Sequence, residues 1–348
     1  MILRWNRRPE GSTWGDFGAD DVLGRLNLLT PEKVREGVAE VREGLAIPLS
    51  LPLDRPGGPV LNPSRRPPVV RPTLRRGRVN LNCAMSELEP GLTDVMCDDL
   101  VVLHTQYSTQ WDSLAHVGSM FDVEGDGTPR PVYYNGFRAG EDIVGPATPE
   151  HAGADSLPGP STSSAGPLGI DTIAQTAVQG RGVLLDLRAH LGDARQPVAH
   201  AQLTEIMAAD DVVVEPGDIL VLHTGFAQHV LDMGEEIDAE ALDRVGAGLD
   251  GRDPELLEWV TDSGVAAIVA DNYAVEVFPA RAVDGPASFL PLHEHCLFRL
   301  GVPLGELWYV TELAAALRER RRSRFLLTAP PLRLPGAVAS PLTPVATL

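Results

Sequence analysis

Short apolar runs alternate with segments of helical spacing along most of the chain. Residues 182–187, 219–222 and 265–269 are runs of Val, Leu, Ile and Ala closed by Gly, Pro or Asp, the pattern of strands buried on both faces. Val212, Val213 and Val214 precede Glu215, Pro216, Gly217 and Asp218, a turn sequence that predicts a hairpin with 219–222. Helices are predicted between these runs, over 171–178, 203–208 and 254–262. Another opens at Thr30 and Pro31, with Val34, Val38, Val41 and Leu45 at helical spacing and Gly44 near its end. Val101 to Leu103 reads as a strand, 106–109 as a polar loop and 111–117 as the start of a helix. Strands and helices in alternation predict an α/β fold. The chain has no internal repeat, no heptad run and no glycine-rich phosphate-binding pattern.

Two stretches interrupt this pattern. Residues 52–73 are rich in Pro and Arg and predict an extended surface loop or an arm that wraps a neighbour. Residues 145–168 are rich in Pro, Gly, Ser and Ala and predict a surface loop or a lid. The organisation expected is one domain over 1–348, with an N-terminal segment and arm over 1–75.

Composition narrows the partners. At 348 residues and 43% apolar, the chain has ample material for a core. A formal charge of −19 disfavours nucleic acid and anionic lipid, and leaves a small molecule as the expected partner. Lys33 is the only lysine, so nearly all cations are guanidinium groups. Cys83, Cys97 and Cys296 form no C-x-x-C pair, which fits free buried thiols in a reducing cytoplasm. Neither a secretory leader nor an apolar run of membrane-spanning length is present in the sequence, so the expected location is cytoplasmic.

The candidate chemistry is concentrated in Q-x-x-x-Q-W-D-x-x-x-H, from Gln106 through Gln110, Trp111 and Asp112 to His116. In a helix, Asp112 and His116 would share a face, and a carboxylate beside an imidazole is an acid–base pair. Alone, such spacing is more often structural. Its position after a predicted strand is where α/β proteins place ligands, and helix N-terminal amides there would favour an anion. Tyr107 and Trp111 are candidate pocket walls or plain core. His104 and His223 fit structural roles better than catalytic ones, and His200 and His229 solvated ones. Arg318 to Arg322 reads as an exposed helix end rather than a phosphate site.

The same stretch resembles the H-x-G-T-H-x-D-x-x-x-H element of the cyclase family, which includes kynurenine formamidases (arylformamidases) and isatin hydrolases. The similarity continues in order through Trp14 to Asp16, Leu26 to Pro31, Tyr133 to Gly136, Gly180 to Asp186, Pro216 to Gly225, Asp271 to Pro279 and His293 to Leu307. It implies a swivelling β/β/α-type α/β fold with a mixed central sheet flanked by helices, and a homodimer or homotetramer. Position by position, it implies a first shell of Gln106, Gln110 and Asp112, a second group of Asp112, His293 and Glu306, and His116 as general acid/base. His295 stays an alternative to His293, and Asn135 joins the expected substrate-binding residues with Trp111, Tyr107, His293 and Glu306.

Where the family has metal-binding histidines this chain has Gln106 and Gln110. Carboxamides are weak ligands for zinc, and manganese tolerates them only somewhat better. The favoured expectation is therefore a site with no metal cofactor, catalytic through His116, Asp112, Gln106 and Gln110, with the glutamines donating to a substrate carbonyl or enolate. The alternative is Mn or Zn held by Asp112, His293 and Glu306. Cyclisation with dehydration, hydrolysis of a small cyclic or polyketide-like metabolite, and a catalytically silent binding protein all remain open.

Overall fold

The computed structural model describes residues 3–153 and 159–348. Part of the predicted 145–168 loop, 154–158, lies outside the described residues.

The core is a nine-stranded mixed sheet. In chain order its strands are β1 (Ala46–Pro48), β2 (Gln110–Asp112), β3 (Gln179–Asp186), β4 (Ile219–His223), β5 (Ala267–Ala270), β6 (Leu304–Glu306), β7 (Arg324–Thr328), β8 (Ala339–Pro341) and β9 (Val345–Thr347). They lie side by side as β1-β9-β7-β3-β4-β5-β6-β2-β8. The block β3-β4-β5-β6 is parallel, and its neighbours β7 and β2 run antiparallel to it. The apolar runs read from sequence are β3, β4 and β5, buried on both faces as their composition requires.

Helices cover both faces. Helix α1 (Pro31–Ala39) begins where predicted, with the Thr30 hydroxyl accepting the Lys33 amide at 3.3 Å. It lies on β3 so closely that a Cβ on Gly37 would meet the Gly180 carbonyl at 2.8 Å. Lys33 and Arg181 pair beneath it with the fully buried Asp218, at 3.3 and 2.8 Å. Further helices are α2 (His200–Ala209), α3 (Pro254–Ser263) and α4 (Thr311–Glu319). Arg318 at the end of α4 pairs with Asp186, which also holds His223 at 2.7 Å. His104 contacts the Arg66 backbone, so both histidines hold structure. No helix of the described residues is long and apolar enough to cross a membrane.

Three local expectations are corrected. Residues 212–214 form no strand, because both edges of β4 are taken by β3 and β5; the 215–218 turn is present without a hairpin. Residues 111–117 are not a helix: Trp111 and Asp112 belong to β2, and the chain then turns, with His116 N–H donating to Ser113 O. There are thus no helix N-terminal amides at this point. Val101 and Val102 are strand, but outside the main sheet, on Asp99–Val102 paired with Val69–Pro72. That pair opens a projecting arm on which Val70, Leu74, Val95 and Val101 are exposed. Residues 52–68 instead pack on their own chain, where Gly58 O accepts from Tyr107 and Pro52 O from Ser108.

Candidate active site

The site lies at the carboxyl end of the parallel strands, where β6 meets β2. In this antiparallel pair Glu306 stands opposite Gln110 and Leu304 opposite Asp112. Alternation along β2 puts Gln110 and Asp112 on one face and Trp111 on the other. Trp111 donates its indole N–H to Ala329 O at 2.8 Å and packs edge-on against Trp308, so it is core and not a pocket wall. Asn135 is likewise removed from the site. Its Oδ1 accepts from Gly15 N and its Nδ2 donates to the backbone of Gly18, Ala19 and Asp21, so all its capacity is spent on the N-terminal loop.

Four predicted residues meet around Asp112. The Gln106 Nε2 donates to Asp112 Oδ1 at 2.6 Å and sits 3.2 Å from both His116 ring nitrogens. Gln110 Nε2 donates to Glu306 Oε2 at 2.9 Å and reaches Asp112 Oδ1 at 3.5 Å. Rotating either amide would set oxygen against carboxylate oxygen, so electrostatics fixes both orientations. The glutamines therefore spend their N–H groups on carboxylates rather than presenting them to a substrate. Asp112 does not touch His116 directly; the Gln106 amide stands between them.

His293 is the second half of the cluster, and it brings a residue that local sequence reading missed. Its Nε2 lies 3.0 Å from Glu306 Oε1 and its Nδ1 lies 2.8 Å from Glu276 Oε1. Glu276 also accepts the amides of Leu292 and His293, at 3.1 and 3.0 Å. The turn that delivers it holds Ala274 and Val275 at positive φ, a conformation disfavoured for both. His295 points elsewhere, bonded to Thr261 at 2.9 Å, and burial lowers its pKa to about 4.

The electrostatics separate the acids from the bases. Burial alone would lower the pKa of His293, but its hydrogen bonds to Glu276 and Glu306 push it up to about 10. It is an imidazolium with both N–H groups committed. Burial raises Glu306, yet the His293 hydrogen bond and charge outweigh it and hold Glu306 below the usual range. Asp112 goes the other way: burial first, with the Glu306 charge, raises it despite His116 and His293. His116 is lowered by burial, against the pull of Asp112. The His293 cation thus stands between two carboxylates, while burial disfavours the charged forms of both His116 and Asp112. Two buried acceptors, Asp112 Oδ2 and Gln110 Oε1, have no partner among the described residues.

Asp112, His116 and His293 each offer a ligand atom within 4.8 Å of one another, the geometry of a possible metal site. Its donors are engaged in part: Asp112 Oδ1 and both His293 nitrogens have partners, while Asp112 Oδ2 has none among the described residues. A ligating imidazole must offer a lone pair, and both His293 nitrogens lie within hydrogen-bond distance of carboxylates. Asp112 Oδ1 already faces amide N–H groups. A cavity of about 780 Å³ beside Arg318, Arg322 and Arg324 is lined by none of the cluster's residues. Its arginines are paired with Asp186, Glu40 and Glu215.

A mixed α/β scaffold with ionisable side chains at the carboxyl ends of its parallel strands has the form of an enzyme. The chain belongs to the cyclase family, whose profile, described as Cyclase, matches residues 47–277. It is similar in structure to a novel cyclase, at 28% identity and TM-score 0.69 over 97% of both chains. It also shares its fold with isatin hydrolase A from Labrenzia aggregata bound to benzyl benzoate, at 13% identity and TM-score 0.53, covering 90% of this chain and 97% of that one. Isatin hydrolase A from Ralstonia solanacearum is comparable, at 13% identity and TM-score 0.51, with 91% and 97% covered. No curated protein matches the chain. The family and fold support an enzyme of cyclase or hydrolase type.

Proposed function

We propose that the protein is an acid–base enzyme of this family that acts on a carbonyl substrate without a resident metal. The observation that carries this reading is the partnering of the carboxylates. Asp112 and Glu306, which would face a cation in a metal site, accept from Gln106, Gln110 and the His293 imidazolium instead. His116 takes a proton from the attacking group, and Asp112 gives one from Oδ2 to the carbonyl oxygen as it gains charge. The two protons balance: one leaves the nucleophile and one reaches the former carbonyl oxygen. Glu276, His293 and Glu306 hold the cluster in place and fix its charge.

If the nucleophile belongs to the substrate, this chemistry closes a ring, and dehydration can follow. If it is water, an amide or lactam opens. Cyclisation of a small polyketide-like metabolite is the favoured outcome, because unactivated amides resist attack by water that is not polarised by a metal. The glutamine-to-carboxylate bonds also alter the expected role of the glutamines: they hold Asp112 and Glu306 in place, and Gln110 Oε1 offers an acceptor to the ligand.

The pH profile tests the assignment. His116 must be neutral to take a proton, and its pKa lies below the ordinary 6.5. Turnover should therefore rise with pH through a value under the usual imidazole range, and fall at higher pH as Asp112 loses the proton it must give. An acid limb centred well above that range would rule out His116 as the base.

A further inference from the structure

A small enclosed space of about 10 Å³ beside Gln106 is walled by Arg65, Leu61, Tyr107 and Tyr273. Arg65 is half-buried there, on the Pro/Arg-rich segment, and its Nη1 donates to Gln106 O at 2.8 Å. Among the described residues it pairs with no carboxylate. Its charge nonetheless bears on the catalytic cluster, lowering the proton affinity of both His116 and Glu306. Tyr273 faces the same groups: after burial, the charges of Glu306 and Asp112 help to hold its phenol above the ordinary range. A guanidinium costs several kcal/mol to desolvate, and this one keeps most of its donors free at the mouth of an acid–base site.

We propose that Arg65 is the specificity residue of this site and binds a carboxylate of the substrate, so that the enzyme acts on small organic acids. The proposal rests on the active-site reading above and deepens it. A planar fork with free N–H groups matches a carboxylate's two oxygens, and it offsets the charge an anion would meet from Glu306 and Glu276. Room for the rest of the acid adjoins it. Leu61 and Tyr273 also line a neighbouring cavity of about 170 Å³ that reaches Glu276 and Asn272, whose Oδ1 is a buried acceptor with no partner among the described residues. That volume accommodates a single aromatic ring. Leu61 and Tyr273 are walls that the two spaces share.

The test uses benzoate and benzamide, which share a shape and differ in charge, titrated against the full chain by calorimetry at neutral pH. Wild type should bind benzoate at least about tenfold more tightly than benzamide, the value of one charge-assisted contact. Arg65→Met should abolish the preference and Arg65→Lys restore part of it, with circular dichroism unchanged. Equal binding of the two probes by wild type, or of neither at millimolar concentration, would overturn the proposal, as would a preference that survives in Arg65→Met. The wild-type comparison decides the matter even if a variant fails to fold. His116→Ala protein should keep the preference, because binding does not require proton transfer. A failure of the acid–base reading therefore shows in turnover and a failure of this one in binding.

Discussion

His116→Ala should turn over substrate about a hundred- to ten-thousandfold more slowly than wild type, the contribution of a positioned general base. The loss should fall on kcat. His116 is half-buried at a turn, and its side chain meets the Gln106 amide and, edge-on, the His293 ring rather than a core strand. Folding and ligand binding should therefore survive its removal. Steady-state kinetics on any carbonyl substrate that wild type accepts measures this directly. Normal turnover by the variant would remove the base from the mechanism. It would leave Asp112, whose proton affinity burial raises, as the group that moves the proton.

The second large effect is on stability. His293→Leu removes the cation between Glu276 and Glu306 and leaves two carboxylates buried in a site built around it. Breaking a buried ion pair from one side costs about 3–5 kcal/mol, far more than an exposed pair contributes. The pH dependence follows from the raised pKa of His293. Its stabilisation is fully present below the unfolded value of 6.5 and is lost as pH rises through about 10. The deficit of the variant, read from urea denaturation midpoints, should therefore be largest between the carboxylate range and pH 6.5, narrow as pH rises from there toward about 10, and narrow again in acid as Glu306 takes a proton. A variant as stable as wild type at neutral pH would show that the triad does not hold the site together.

Some of this was legible in the sequence and some was not, for identifiable reasons. The three apolar runs became adjacent parallel strands because residues such as Val183 to Leu185 and Ile219 to Leu222 have no polar face to present to solvent. Thr30 and Pro31 announced α1 through local cap chemistry alone. The segment after Gln110 was misread because Asp112 and His116 also suit a helix face. What makes it a strand is pairing with β6 and β8, supplied by chain from the far end of the sequence. The 212–222 hairpin failed for a similar reason, since turn chemistry is local and strand partners are not. Within the site, the local motif placed Gln106, Gln110, Asp112 and His116 together, and the resemblance supplied His293 and Glu306. Glu276 falls inside the similarity from Asp271 to Pro279, but nothing near it in sequence points to His293. Arg65 was hidden in a segment that composition marked only as extended.

The account turns on whether amide and imidazolium N–H groups have replaced a metal at Asp112 and Glu306. Elemental analysis of the purified protein, paired with turnover before and after dialysis against a chelator, addresses this most directly. The account predicts substoichiometric manganese and zinc, turnover unchanged by the chelator, and no stimulation when either ion is returned. Stoichiometric metal that leaves with the activity and restores it on return would contradict it.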